Sequence, residues 1–376
     1  MSTNEQPATA RIEANAAAIA VNPVYENERL VELTHWGAPW ANLRVVVVGM
    51  GTSGDAVTDV LAQLGAKIVV IDGADTPEKR ERIEIYKNAY GPVEGLFGPE
   101  HMRALPLVDG QEPELVVTSP GVRPDHPVML DAYERRIQIW GDVELAWRLN
   151  ERSGLPTPKW LCLTGTNGKT TTVGMVDSIL KAAGKKAIQV GNVGMPIVYA
   201  IADDEPYEFF AVELSSFQLH WTHSMSPYAS VVLNIAEDHV DWHGSFERYK
   251  ADKARVYEHT QVACIFNTDH VDTLRMVENA DVIEGARAIG FSSTEMPAVS
   301  MLGLAEDIMV DRAFLKNRYN EAYELAVLED LAPAPGKMPA KHTVENALAA
   351  AALCRAADID PKAVGAGLRS FKTGAH

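Results

Sequence analysis

Two apolar runs, LRVVVVG ending at Gly49 and KWLCLTG ending at Gly165, each break into a glycine-rich turn and resume as a helical pattern. A run of branched apolar residues without polar alternation is a strand buried on both faces, and such strands belong to parallel sheets whose return connections are helices. That feature restricts the chain to α/β architecture. It occurs twice, each time at the head of a series: AKIVVIDG, LVVTSPG and IQIWGD follow the first run, and KAIQVGN, FFAVELS, ASVVLNI and ACIFNT follow the second. Between the series lies RSGLPTPKW, whose prolines and glycine suit a linker. The expected organisation is one α/β domain over residues 41–152 and a second over 155–370, with the polar residues 1–40 as a frayed or disordered extension. Residues 292–340 show no usable period beyond the proline-rich loop LAPAPGKMPA, and VENALAAAALCRAA after them reads as a close-packed alanine-rich helix.

Composition narrows the partners. The 376 residues carry 51 acidic and 34 basic side chains, a formal charge of -17 with no lysine or arginine run, which argues against a nucleic-acid or anionic-membrane surface. Cys162, Cys264 and Cys354 lie in apolar segments without disulfide or zinc spacing, which fits a reducing cytoplasm. No early basic region precedes a long apolar one, and no stretch reaches the roughly 18 apolar residues of a membrane span. A soluble, cytoplasmic monomer is expected.

Each glycine turn has a chemistry. Gly49-Met50-Gly51-Thr52-Ser53-Gly54 follows a strand, and Asp72 ends the next one, as in the dinucleotide fingerprint where backbone amides approach a pyrophosphate and an acid bonds a ribose. That pattern specifies a diphosphate beside a sugar, which several nucleotides satisfy, and a purely structural tight turn is the competing reading. The second turn, LTGTNGKTTT, resembles a phosphate-binding loop of the wrong length. Counting back from Gly168-Lys169-Thr170, the first glycine should stand at position 163, where leucine does, and Gly165 comes two residues late. Lys169 can still carry charge to the β and γ phosphates, the amides around Asn167 and Gly168 can cradle them, and the Thr170 hydroxyl can bind magnesium.

Other strands deliver Asn192, Glu213 and the Asn234–His239 segment to the same sheet edge, where ligand crevices of parallel sheets lie. Glu213 suits a hard cation, the competing reading being an acid that caps the next helix. His239, between acids, has either a surface role or a place beside metal or phosphate. In GSFERYKADKARVYEH, Lys253 falls on the apolar stripe of Phe246, Tyr249, Val256 and Tyr257, while Arg248, Lys250, Asp252 and Arg255 are expected to face away. A lysine so placed either runs its stem along that surface into water or has a partner at the site.

These residues together resemble the Mur ligases of peptidoglycan synthesis, whose shortened ATP loop reads Thr-Gly-Thr-Asn-Gly-Lys-Thr, here Thr164 to Thr170. Glu213-Leu214-Ser215-Ser216-Phe217-Gln218-Leu219, Gly191-Asn192-Val193-Gly194, Asn234 with Asp238-His239-Val240-Asp241, and Ser119-Pro120-Gly121 look like the branch that adds D-glutamate. The resemblance runs from about Arg44 to the last residue. It implies a Rossmann-like first domain that binds UDP-N-acetylmuramoyl-L-alanine, with Gly51, Thr52, Ser53 and Gly54 at the diphosphate, Asp72 near the uracil, and Ser119, Gly121, Asn192 and Ser215 as further substrate contacts. It implies a P-loop-type central domain that binds ATP through Gly165, Thr166, Asn167, Gly168, Lys169, Thr170 and Thr171. Two magnesium ions would be held by Thr170, Glu213, His239 and Lys253, the lysine as a carbamate. Lys169, His239 and Lys253 are the implied catalytic residues.

The implied reaction is attack of the L-alanyl carboxylate on the γ phosphate of ATP, then displacement of phosphate from the acyl-phosphate by the amine of D-glutamate. Two departures stand out. The family has His-Asn ahead of Asn-Ala-Leu-Ala-Ala, whereas this chain has His342-Thr343 before Asn346, so an amide contact is replaced or lost. The chain also ends at Gly374-Ala375-His376, where the family continues into a third α/β domain. Residues 371–376 are therefore expected to begin a linker, and turnover by this chain to be impaired. The competing readings are a non-catalytic nucleotide-binding homologue, a sibling ligase using another amino acid, and an NAD oxidoreductase, for which the chain offers no hydride-transfer acid.

Overall fold

In the computed structural model, residues 21–334 and 336–372 are described. The first series forms a five-stranded parallel sheet ordered β3-β2-β1-β4-β5, from β1 (Arg44–Val48), β2 (Lys67–Asp72), β3 (Val93–Phe97), β4 (Leu115–Thr118) and β5 (Gln138–Gly141). Val45 to Val48 are fully buried at its centre, which is why their run lacks alternation. The strand order reverses between β1 and β4, so the crevice of this domain opens where Gly49 and Ser119 leave the sheet.

The second sheet has nine strands ordered β14-β13-β12-β11-β10-β9-β6-β8-β7. Those read from sequence are β6 (Lys159–Thr164), β7 (Ala187–Gly191), β8 (Phe209–Glu213), β9 (Ala229–Val232) and β10 (Ala263–Asn267), all parallel. β11 (Arg287–Phe291), which was not among the strands read, precedes the stretch without a readable period, and that stretch supplies β12 (Met301–Ala305), β13 (Ile308–Asp311) and β14 (Tyr323–Val327), the last two pairing antiparallel at the edge. One face of this sheet is covered by helices Lys169–Ala182, Lys341–Ala356 and Pro361–Ser370. They pack at short range because Ala347 and Ala349 to Ala352 are buried without bulk, and a Cβ at Gly367 would lie 2.3 Å from the Cα of Ile179.

The expectation of a frayed extension over residues 1–40 needs correction where the structure describes it; residues 1–20 lie outside the described residues. Asn27 caps the short helix Glu28–Glu32 by accepting from the amides of Arg29 and Leu30, and Leu30, Leu33 and Trp40 are buried in the core. Sparse apolar residues hid this, because the segment packs as a strap with few anchors rather than as an amphipathic element. Residues 373–376, assigned to a linker, also lie outside the described residues.

The two sheets meet through helix Asp142–Leu149, packed on helix Ile197–Ala202. On the first of these helices Glu144 is fully buried. It accepts from the amides of His223 and Ser224 at 2.7 and 2.8 Å, the Ser224 hydroxyl at 2.7 Å and Arg148 Nε at 2.7 Å. A buried carboxylate is tolerable only when it is bonded this fully. Among the described residues no helix is long and apolar enough to cross a membrane.

Candidate active site

The shortened loop leaves β6 and enters helix Lys169–Ala182 at Gly168, whose φ of 83° is left-handed. A side chain at Gly168 would be strained, and its Cβ would lie 2.4 Å from Asn346 Oδ1 on the alanine-rich helix. The loop is latched to the end of β9: the Thr166 amide donates to the Asn234 carbonyl at 3.1 Å, the Asn167 amide to Asn234 Oδ1 at 2.9 Å, and Asn234 Nδ2 returns a bond to the Asn167 carbonyl at 3.0 Å. Lys169 Nζ folds back on the carbonyls of Gly165 and Thr166 at 3.0 and 3.1 Å. Those bonds hold the ammonium at the loop. Thr170 and Thr171 lie in the first turn of the helix, with Thr170 exposed.

Lys253 is only 2% exposed, and its Nζ donates to Thr164 Oγ1 at 3.2 Å and to the Gly165 carbonyl at 2.9 Å. Burial, with the nearby Lys169 ammonium, pulls its amine down to about 7, against the pull of Asp238 and Glu213. Glu213, buried at the end of β8, accepts from Asn192 Nδ2 at 3.0 Å through Oε1, and its Oε2 has no hydrogen-bond partner among the described residues. An unpaired buried carboxylate oxygen is costly, and a hard cation is the partner it suits. His239 is less enclosed: its side chain is 48% exposed, its ring sits 4.8 Å from that of Phe217, and its backbone is left-handed with φ 48°.

Among the described residues no three His, Cys, Asp or Glu side chains form a ready-made metal cluster. The donor set fits magnesium in another way. One buried carboxylate and a threonine hydroxyl beside a phosphate loop leave most of an octahedral shell to phosphate and water oxygens.

In the first domain, Asp72 accepts from the amides of Met50 and Ala74 at 2.7 and 2.8 Å and pairs with Lys79 at 2.7 Å. Burial raises its pKa, but the Lys79 and amide hydrogen bonds outweigh burial and hold it below the usual carboxylate range. Asp72 therefore shapes the glycine turn itself. A Cβ at Gly54 would lie 1.8 Å from the Gly49 carbonyl oxygen, whereas one at Gly51 would meet nothing within 4 Å. The fold needs glycine at 54, and only something outside the described residues could need it at 51. Thr52 opens the helix that follows, and Ser119 Oγ donates to the Gly49 carbonyl at 3.0 Å.

The two crevices are joined. Ser53 Oγ donates to Asp142 Oδ2 at 2.9 Å, and Gln218 Nε2 donates to the same oxygen at 3.4 Å. Gln218 in turn completes a capping box with Ser215, at the start of the helix that follows Glu213. Trp242 Nε1 reaches the Gly121 carbonyl at 3.4 Å. Ser53 and Gly121 of the first domain are thus linked by side chains to the second.

Residues 163–354 match the Mur ligase middle domain, and residues 43–141 match the N-terminal domain described as Mur ligase MurD-like. The chain belongs to the Mur ligase family. The UDP-N-acetylmuramoylalanine--D-glutamate ligase of Leifsonia xyli subsp. xyli is 44% identical to this Mur ligase over 360 residues, covering 93% of this chain and 68% of that protein. The protein of the same name from Streptomyces avermitilis is 45% identical over 340 residues, 90% of this chain and 68% of its own length. Among solved structures, the UDP-N-acetylmuramate:L-alanyl-gamma-D-glutamyl-meso-diaminopimelate ligase from Neisseria meningitides shares the fold with a TM-score of 0.52 at 14% identity, covering 89% of this chain and 100% of that one.

Several residues of this Mur ligase escaped the sequence reading. Tyr249, taken only as part of an apolar stripe, also bonds the Thr166 hydroxyl at 2.8 Å. Asn267 ends β10 with its buried Nδ2 unpartnered among the described residues, and the available signal was a polar residue closing the run ACIF. Asp252, expected on the outward face of its helix, is 3% exposed and bonded to two histidines.

Proposed function

We propose that this chain acts in an ATP-dependent ligase that joins D-glutamate to UDP-N-acetylmuramoyl-L-alanine, with the diphosphate at Gly51–Gly54 and ATP at Gly165–Thr171. The observation that carries the reading is Lys253, a buried amine lowered to about 7 and bonded to the loop carbonyl of Gly165 at 2.9 Å. At pH 7 about half of such amines are neutral, against roughly one in three thousand for an ordinary lysine. A neutral amine adds to carbon dioxide, forming an N–C bond and releasing one proton, and the carbamate so made is an anionic oxygen donor beside Glu213. This accounts for a lysine on an apolar stripe.

In the first step a carboxylate oxygen of the L-alanyl group attacks the γ phosphorus, and ADP leaves with the electrons of the broken P–O bond. In the second the D-glutamate amine adds to the acyl carbon, phosphate departs and the amine proton is lost. Lys169 places positive charge where the γ phosphate gathers negative charge, and the loop amides orient it. Magnesium, held by Thr170, Glu213, His239 and carbamylated Lys253, would supply further charge neutralisation. The free, buried thiols and the use of ATP suit a cytoplasmic setting.

The test is to supply UDP-N-acetylmuramoyl-L-alanine, ATP, magnesium and hydroxylamine, and to look for the hydroxamate that traps an acyl-phosphate. Hydroxamate that depends on both substrates and vanishes in Lys169→Ala is expected. Tight NADH binding, with no shift in melting temperature on adding the UDP-sugar, would replace this reading with an oxidoreductase.

A further inference from the structure

Asp252 shares a turn of helix Phe246–Ala254 with Lys253 but points into a different network. Its Oδ2 accepts from His220 Nδ1 at 3.0 Å and from His243 Nδ1 at 2.8 Å, and His243 Nε2 meets Ser216 Oγ at 2.9 Å. Asp252, His220 and His243 are nearly inaccessible, at 2–4% exposure, and the partly buried Arg255 approaches Asp252 Oδ1 at 3.6 Å. Each ring can donate its Nδ1–H to the carboxylate, and Nε2 of His243 can accept the Ser216 hydroxyl proton, while the buried Nε2 of His220 has no partner among the described residues.

The partners come from three separate segments, and each segment carries one proposed cation-binding residue. Ser216 and His220 lie on the helix Ser216–His220, which starts just after Glu213. His243 closes the short helix Val240–His243, whose cap residue is His239. Asp252 precedes Lys253, and Lys253 is fastened to the phosphate loop. Among the described residues no backbone hydrogen-bond ladder links helix Ser216–His220 to the other two, which are joined to each other through Gly244 and Ser245, so its placement against them rests on side chains. A buried carboxylate accepting from both neighbours fixes them more sharply than apolar packing, because losing either bond leaves a desolvated group unpaired.

On this geometry, and resting on the ligase reading above, we propose that Asp252 is a positioning residue of the reaction centre: one buried carboxylate sets the spacing of the segments bearing Glu213, His239 and Lys253. It touches neither nucleotide nor reacting atom, and it acts by holding the cation donors where they can share one ion. Groups that orient ligating side chains typically affect metal affinity by about 10- to 100-fold.

The experiment compares wild type, Asp252→Ala, Asp252→Asn and Ser216→Ala, using Mn2+ as the probe, titrated by electron paramagnetic resonance with a non-hydrolysable β,γ-imido ATP analogue present. Affinity for the analogue without metal is measured by calorimetry. Asp252→Ala is expected to bind Mn2+ at least about tenfold more weakly while its metal-free nucleotide affinity stays within about twofold of wild type. A purely structural residue would not produce that split. Asp252→Asn can still bond both rings if one changes tautomer, and should recover most of the Mn2+ affinity. If Asp252→Ala does not fold, Ser216→Ala, which loosens only the far end of the network, should still weaken Mn2+ by about threefold. Unchanged Mn2+ affinity in folded Asp252→Ala, or in Ser216→Ala, overturns the proposal, as does an equal loss of metal-free nucleotide binding. A wild-type chain that binds no Mn2+ with the analogue overturns the ligase reading as well, so the two failures are distinguishable.

Discussion

Replacing Lys253 by methionine should make the protein more stable at pH 6.5 and less stable near pH 10. In the unfolded chain the amine has its ordinary value of 10.5, and in the fold burial beside Lys169 lowers it to about 7. Between those values the unfolded state holds more protons, so the lysine's contribution to stability rises with pH across that window. Its penalty is complete below pH 7 and gone above about 10.5. The full difference corresponds to about 5 kcal/mol, an upper value because water entry and local relaxation reduce it, so about 2–4 kcal/mol is expected. Methionine fills a similar volume without that penalty, but gives up the bonds to Thr164 and Gly165, each contributing about 1 kcal/mol. The two proteins should therefore cross in stability as pH rises. Urea denaturation in carbon-dioxide-free buffer at several pH values measures the difference, and titrations common to both cancel. Adding bicarbonate near pH 8 should stabilise wild type alone. A gap between the two proteins that stays constant from pH 6.5 to 10 would refute the argument, since it would mean that the amine is solvated.

Lys169→Ala should lose ATP affinity by about a hundredfold by calorimetry with little change in nucleotide-free melting temperature, because its amine bonds only two loop carbonyls. Gly54→Ala should be destabilised by about 3 kcal/mol or more, since its Cβ would lie 1.8 Å from a carbonyl oxygen; Gly51→Ala should melt like wild type yet bind the UDP-sugar more weakly in titration. Glu213→Gln should keep its bond to Asn192 and its apo stability, while nucleotide-dependent Mn2+ affinity falls about 10- to 100-fold. Asp72→Asn should be less stable than wild type at neutral pH, with the difference fading below about pH 4, because a carboxyl held below its unfolded value stabilises only while ionised.

The sheets and their glycine turns were legible because the physics is local: continuous burial removes alternation from Val45–Val48, and a glycine must stand where Gly168 takes a left-handed φ. Lys253 was legible as an anomaly on an apolar stripe. The edge strands β12 to β14 were not, because short antiparallel strands with one wet face, such as YELAV, carry little periodic signal. Asp252 was misplaced for a related reason. Helical spacing assigned it to the solvent side, but that side is covered by His220 and His243, which lie on other helices, so only tertiary structure could reveal a buried carboxylate there.

Glu144 takes no part in the proposed chemistry, yet its three bonds across the domain contact bear on which molecules could be joined. With that carboxylate tying helix Asp142–Leu149 to the turn at His223 and Ser224, the span from the glycine turn at Gly54 to the loop at Lys169 belongs to the protein before any ligand arrives. On the proposed reading, a ligand anchored by its diphosphate would present its carboxylate to the γ phosphate only if the intervening sugar and amino acid had the matching reach. The cleft would thereby work as a fixed gauge, rejecting molecules too short or too long even when both of their ends are chemically acceptable.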